Sequence, residues 1–344
     1  MFRAIRFFLF ETLMVIGMGA CGIYHNLILY GLAQAQGQLH IIQHTREVAD
    51  VMKDPTFPDS LKKKLLLIRE IKQFAYDSLG LKPSDNYTTI YDQHGKAVLW
   101  TITASDPFCL KPKEWVFPLL GAVSYKGFFD YEKGKKEAAE LVSKGYDVDY
   151  GGVGGWSTLG WFKDPILSNM LYRNEGQLAS LLIHELTHGT IYRKSSVDYN
   201  ENLANFVGDK GAQLFLQTKY GCDSPSFLEY VHSKSDRKVY NTYILKAAGR
   251  LDSLYRTFSQ GGPVVEKELK KMNIIYETLS GVKSLQLYHL TSYMAYTRDA
   301  VEEKNAFFMS FRRYDSKYEE FEKNFSVNYH QNLRCFIQGQ LKNN

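Results

Sequence analysis

The sequence is poor in cysteine and proline, and its excess of positive charge is small. Its 344 residues include 4 Cys and 9 Pro, and 42 Lys and Arg against 37 Asp and Glu give a net charge of +5. No two cysteines have C-x-x-C spacing, which excludes a zinc knuckle and a dense disulfide framework. The low proline content excludes a proline-rich linker. No dense basic stripe accompanies the charge, so we expect no nucleic-acid partner.

The rest of the composition is that of an ordinary globular protein, at 44% hydrophobic, 23% charged and 14% aromatic residues. It excludes disordered, collagen-like and polytopic membrane proteins. At roughly 100–200 residues per domain, the length allows one large domain or two small ones. Helical patterns come first, a β-rich middle follows, and helical patterns return. This order favours an α+β fold over alternating α/β units.

Hydrophobic periodicity and turn residues predict the secondary structure. Helices are predicted over Gln34–Met52, Ser60–Leu79, Tyr131–Lys144, Gln177–Tyr192, Asn200–Tyr220 and, with gaps, Pro225–Ser259, Pro263–Leu279 and Val301–Asn324. β structure is predicted over Tyr87–Ala104 and Trp115–Tyr125 and, as an edge strand, over Tyr146–Tyr150.

The N-terminal segment, residues 1–33, carries a membrane signal. Residues 12–33 contain no Asp, Glu, Lys or Arg, and a bilayer-spanning helix needs about 20 mainly apolar residues. Arg3 and Arg6 precede this stretch, which favours a cytoplasmic N-terminus and an exported remainder. A bacterial lipoprotein signal is the alternative, because small residues stand directly before Cys21. Both interpretations attach the protein to a membrane, with its main domain outside the cytoplasm, facing the periplasm or envelope.

One motif outweighs the others, an H-E-x-x-H pattern inside an apolar predicted helix. His184 and His188 are four residues apart, so both imidazoles project from one helix face and can bind one zinc ion. Glu185 follows the first histidine directly. There it can act as general base toward a water whose pKa the zinc lowers.

A catalytic zinc site usually takes three protein ligands. Glu201 follows His188 after 12 intervening residues, enough for the helix to end and a second helix to return to the metal. The alternative is an acid that interacts with the dipole at a helix N-terminus, and we favour the ligand. Asn205 and Asp209 follow on the same helix face and can orient a ligand imidazole. Asp209 is preferred, because a carboxylate strengthens the basicity of the ligand.

Segments around the motif resemble the putative aminopeptidase family, which comprises bacterial membrane-associated or lipoprotein zinc peptidases. The most specific segment is Trp156–Pro165, of sequence WSTLGWFKDP, and Glu175–Ala179 and Asn200-Glu201 add to it. The resemblance covers most of the chain. It implies a zincin-like α+β domain, with a small β-sheet beside the H-E-x-x-H helix and a mostly helical C-terminal part. It also implies one catalytic zinc ion, held by His184, His188 and Glu201, with Glu185 as the base.

The resemblance further implies a substrate site. In glutamate-type zinc peptidases an edge strand upstream of the zinc helix pairs with an extended peptide, so Tyr146–Gly155 is expected to do so here. The residues assigned to substrate binding are Gly154, Gly155, Trp156, Ser157 and Thr158. Candidates to stabilise the oxyanion are Tyr150, Tyr192 and Tyr199, and candidates to hold a substrate α-amine are Asp164 and Glu175.

Residues 34–344 are therefore predicted to form one zinc-peptidase domain, with an N-terminal part (34–145), a catalytic core (146–220) and a helical lobe (221–344). The predicted function is hydrolysis of peptides or proteins by a zinc metallopeptidase, an aminopeptidase according to the family. Two alternatives stay open at this point. One is a membrane-anchored envelope-maintenance protein with a non-catalytic metal site, and the other is a zinc amidase acting on cell-wall peptides. The substrate and the oligomeric state are also open.

Overall fold

The computed structural model describes residues 29–117, 121–153, 163–194, 196–258, 261–313 and 318–342. The helices are α1 (29–43), α2 (Val48–Lys53), α3 (Asp59–Asp77), α4 (Tyr131–Ser143), α5 (Glu175–His188), α6 (Val197–Tyr220), α7 (Pro225–Arg256), α8 (Val264–Gly281), α9 (Leu290–Thr297), α10 (Ala300–Glu303), α11 (Asn305–Arg313), α12 (Tyr318–Tyr329) and α13 (Leu333–Lys342), with short 3₁₀ helices at Ser168–Tyr172 and Val282–Ser284. The strands are β1 (Thr45–Glu47), β2 (Thr89–Tyr91), β3 (Trp100–Ser105), β4 (Trp115–Phe117), β5 (Gly121–Val123), β6 (Lys126–Phe128), β7 (Asp147–Gly152) and β8 (Ile166–Leu167). The fold is mixed, mostly helical with small sheets, as the sequence predicts.

Most of the predicted membrane segment lies outside the described residues, because the structure describes nothing before residue 29. Residues 29–33 form the start of α1. Among the helices that the structure describes, none has the length and apolar character needed to cross a membrane.

The strands form two three-stranded sheets and one hairpin. Their orders are β1-β2-β8, β6-β3-β7 and β4-β5, and β8 runs parallel to β2. Strand β7 pairs with β3 from Ser105↔Asp147 to Trp100↔Gly152 and lies at the edge of its sheet. This confirms the predicted edge strand, and the β4-β5 hairpin confirms the β segment predicted over Trp115–Tyr125.

Two predicted helices are interrupted. The helix predicted over Gln34–Met52 is broken by β1, which separates α1 from α2 and pairs antiparallel with β2. A partner more than 40 residues away thus decides the conformation of β1. The stretch Val301–Asn324 divides into α10, α11 and α12. Lys304 has a φ of 50° between the first two of these, and that backbone conformation ends an α-helix.

The largest core surrounds the helix pair α5 and α6. Helix α5 contributes a fully buried face of Leu178, Leu182 and Ile183. Isoleucines Ile90 and Ile166, from the β1-β2-β8 sheet, pack into the same core. Full burial of each such side chain stabilises the fold by about 1.5–3 kcal/mol. The core therefore holds α5 firmly in place and leaves its polar face to form a site.

A second core packs α7, α8 and α11 together, and one buried ion pair joins it to β7. Lys271 of α8 is 0% exposed, and its Nζ lies 2.6 Å from Asp147 Oδ2 at the first residue of β7. The backbone N–H of Asn305, which begins α11, donates to the same oxygen at 3.1 Å. The helical lobe thus holds the start of the edge strand.

Candidate metal centre

Helix α5 presents both histidines of the H-E-x-x-H motif toward α6. Its N-terminus is fixed by a capping box, in which the Asn174 and Gln177 side chains each accept from the other's backbone N–H. One turn apart on this helix, His184 Nε2 and His188 Nε2 lie 3.1 Å from each other. The spacing of the two histidines thus places them as the sequence predicts.

Glu201 completes a cluster of three. It lies near the start of α6, and its carboxylate faces both rings. Oε2 lies 3.6 Å from His184 Nε2, and Oε1 lies 3.5 Å from His188 Nε2. One ligand atom from each residue lies within 4.8 Å of the other two. The loop between α5 and α6 is thus long enough to bring the third residue to the histidines.

This cluster can hold a metal ion. In a tetrahedral site, metal–ligand bonds of about 2.0–2.1 Å place neighbouring ligand atoms about 3.3 Å apart, close to the separations found here. Burial and the neighbouring His188 lower the pKa of His184 to about 3, and burial lowers the pKa of His188 to about 4. Both imidazoles are therefore neutral near pH 7, which is the form that binds metals.

Glu185 lies next to the cluster, and the pKa of its carboxyl group is unusual. Burial raises its pKa to about 7, and the neighbouring carboxylates of Asp164 and Glu201 add to the rise. A group that titrates near neutral pH can both take up and release a proton under ordinary conditions. The arrangement therefore provides a proton acceptor beside a metal-type cluster, which is what hydrolysis by an activated water requires.

Asn205 and Asp209, the two residues expected to orient a ligand histidine, differ in their contacts. The Asn205 side chain lies close enough to the His184 imidazole to favour its protonated form. Asp209, the preferred candidate, accepts instead from Ser180 Oγ and Tyr230 OH, both at 3.1 Å. Its charge still favours the protonated form of His184, but through space. Asp209 therefore makes its hydrogen bonds with other partners, and Asn205 is the closer of the two candidates to act on the His184 ring.

Gly208 allows α5 and α6 to approach closely behind the cluster. A Cβ at this position would lie 2.7 Å from the Ser180 carbonyl oxygen and 3.1 Å from His184 Cβ. The backbone oxygen cannot rotate away, so any larger residue must separate the two helices. The position therefore controls the distance between the helix that carries the histidines and the helix that carries Glu201.

Gly208→Ala is accordingly expected to destabilise the protein by about 1–3 kcal/mol, the usual cost of overpacking, and to weaken metal binding. Thermal unfolding and metal titration measure the two effects. Gly249→Ala in α7 is the matched control, because nothing lies within 4 Å of its Cβ position. There the better helix propensity of Ala should stabilise by about 0.5–1 kcal/mol. Equal effects of both variants would contradict the close-approach argument.

The structure places the other sequence candidates less centrally. Glu175 accepts from Tyr220 and Ser226 at the start of α5, nine residues and roughly 13 Å of helix from His184. Asp164 is 2% exposed and close enough to raise the pKa of Glu185. Among the tyrosines proposed for the oxyanion, Tyr150 donates to the Tyr131 carbonyl, Tyr199 donates to Gln340, and Tyr192 is 47% exposed. The substrate-binding set Gly154, Gly155, Trp156, Ser157 and Thr158 lies outside the described residues.

Sequence reasoning missed a cavity of about 380 Å³ that adjoins the cluster. His184 and Glu185 form part of its wall, and Arg173, Lys234 and Arg237 contribute the cationic part. The i, i+3 spacing of Lys234 and Arg237 shows that they share a face of α7. Nothing in the sequence indicates that this face meets α5, since that depends on how the helices fold back.

Comparison with known proteins adds the family. No curated protein and no solved structure matches this chain. The family model described as "Putative aminopeptidase" matches residues 29–342, which include every residue of the cluster and nearly the whole chain. The chain therefore belongs to the putative aminopeptidase family.

Proposed function

We propose that the protein is a zinc-dependent peptidase that removes N-terminal residues from peptides. The observation that carries this proposal is the position of Glu185, a carboxyl group with a pKa near 7, beside the His184, His188 and Glu201 cluster. A metal site that served structure alone would need no proton acceptor there. The family supports peptides as substrates and aminopeptidase as the class.

The donor set favours zinc. Two neutral imidazoles and one carboxylate form the ligand set of many catalytic zinc sites, in which a fourth position is left for water or substrate. When bound, zinc supplies Lewis acidity that polarises a peptide carbonyl and lowers the pKa of water. A zincin-type domain agrees with the way α5 and α6 bring the three ligands together.

The protein's own residues supply the rest of the reaction. His184, His188 and Glu201 would hold the ion, and Asn205 lies beside the His184 ring. A Glu185 carboxylate oxygen takes a proton from the attacking water and then gives it to the leaving amide nitrogen. The edge of β7 that faces away from β3 offers backbone groups with which an extended peptide can pair.

The test is to incubate the purified full-length chain, loaded with zinc, with a mixed peptide library and identify the products by mass spectrometry. We expect one zinc ion per chain and peptides that lack their N-terminal residue. Chelation should stop cleavage, and added zinc should restore it. Internal cuts would overturn the aminopeptidase assignment but leave the peptidase. No cleavage by zinc-loaded protein would contradict the proposed function.

A further inference from the structure

Asn200, the residue directly before Glu201, is buried and takes part in a pair of hydrogen bonds. It is 3% exposed. The backbone N–H of Arg193 donates to Asn200 Oδ1 at 2.8 Å, and Asn200 Nδ2 donates to the Arg193 carbonyl oxygen at 2.8 Å. The amide of Asn200 therefore binds both backbone groups of one residue that lies seven positions earlier in the chain.

This pair of hydrogen bonds joins the loop between α5 and α6 to the first turn of α6. At the other end of the loop, the backbone N–H of Ile191 donates to the Thr187 carbonyl oxygen at 2.8 Å, and Ile191 is 1% exposed. Only Tyr192 separates Ile191, which is bound to the end of α5, from Arg193, which is bound to the start of α6. The two helix ends are thus connected by a short path that is hydrogen-bonded on both sides.

The position of the Glu201 carboxylate depends on this path. The side chain is 42% exposed, and within the described residues its carboxylate contacts are those with His184 Nε2 and His188 Nε2, at 3.6 and 3.5 Å. Both histidines belong to α5, whereas Glu201 belongs to the start of α6. The distances between the three ligand groups are therefore set by how the start of α6 is held against the end of α5.

We propose that Asn200 is a positioning residue of the metal centre, whose amide holds the first turn of α6 so that the Glu201 carboxylate faces the two histidines. The inference rests on the proposed function and adds a residue to it. A side-chain amide suits this role because it offers an acceptor and a donor side by side, which match a backbone N–H and C=O. An ionised aspartate has no donor and an alanine has neither group, so neither can make both bonds.

The zinc affinity of the purified full-length chain, measured by competition with a chelating dye, tests the proposal. Asn200→Ala should weaken zinc binding about 10–100-fold, the usual effect of losing a residue that orients a metal ligand. A zinc affinity equal to that of the parent chain would overturn the proposal. Because this measurement needs no substrate, a failure to cleave peptides counts against the proposed function and does not alter the result. A parent chain that binds no zinc would overturn both.

Asn305→Ala is the matched control. Asn305 is 0% exposed and also uses its amide on the backbone, since Nδ2 donates to the Asp106 carbonyl oxygen at 2.8 Å, but it begins α11 in the second core. Both variants leave buried polar groups unpaired, so both should lower the temperature of thermal unfolding. Asn305→Ala should nevertheless bind zinc like the parent chain. Equal losses of zinc affinity in the two variants would reduce the role of Asn200 to general stability.

A double variant shows whether Asn200 acts through Glu201. In a Glu201→Gln background the proposed ligand is already lost, so adding Asn200→Ala should not weaken zinc binding further. Losses that add up would show that Asn200 acts independently of Glu201 and would overturn the proposal. If Asn200→Ala does not fold, Asn200→Asp replaces it in the same measurements. The aspartate keeps the shape and the bond from the Arg193 N–H but lacks the donor, so a weaker zinc affinity is again expected.

Discussion

Glu185→Gln is expected to lower kcat/KM for peptide cleavage by about 10²–10⁴-fold, the usual contribution of a positioned general base. The amide keeps the shape of the side chain but cannot accept the proton of the attacking water. The ligand atoms of His184, His188 and Glu201 are untouched, so the variant should bind zinc as the parent protein does. Steady-state kinetics and metal analysis of the same preparation measure both quantities.

The control for this variant is Glu175→Gln. Glu175 lies on α5, as Glu185 does, but at the N-terminal end of the helix. There its carboxylate accepts hydrogen bonds from Tyr220 and Ser226. It should therefore retain both activity and zinc. Full activity of Glu185→Gln with zinc bound would show that another group takes the proton.

Glu201→Gln is expected to weaken zinc binding by about 100-fold. Structural zinc sites gain roughly 10–16 kcal/mol from four ligands, so one ligand contributes on the order of 3 kcal/mol. An amide is a poor zinc ligand, and the two imidazoles that remain are a much weaker site. Competition with a chelating dye measures the affinity, and activity at limiting zinc should fall in parallel.

An exposed carboxylate on another helix controls for the loss of a negative charge. Glu319 lies in the first turn of α12 and is exposed, so Glu319→Gln should bind zinc like the parent. Unchanged zinc affinity in Glu201→Gln would remove Glu201 from the ligand set and leave a site of two histidines.

The parts of the site that local geometry determines could be predicted from the sequence. Four residues make about one helical turn, so the histidine pair follows from the motif alone once α5 is recognised. The position of Glu201 is harder to predict, because it also depends on α6 returning toward α5 after a short loop. Where the periodicity is strong, as in α3 and α4, the predicted helix boundaries agree with the structure within a few residues.

The parts that depend on distant contacts could not be predicted. The sequence predicts that Asp209 contacts a ligand histidine. In the structure its carboxylate forms ion pairs with Lys234 and Arg237, which follow 25 and 28 residues later. Strand β1 lies inside a stretch with helical periodicity, and only its pairing with β2 makes it extended. In both cases the deciding partner is set by tertiary packing, which no short window of sequence contains.

The buried pair of Lys271 and Asp147 has a consequence for how this protein can be divided. A chain that ended at residue 220 would keep His184, His188 and Glu201 but would leave Asp147 without Lys271 and Asn305. Removing one partner of a buried ion pair costs about 3–5 kcal/mol, a large share of the stability of an ordinary domain. We therefore expect the C-terminal helices to be needed for the stability of the rest of the described fold. The family model matches residues 29–342, a range that includes both partners of this pair.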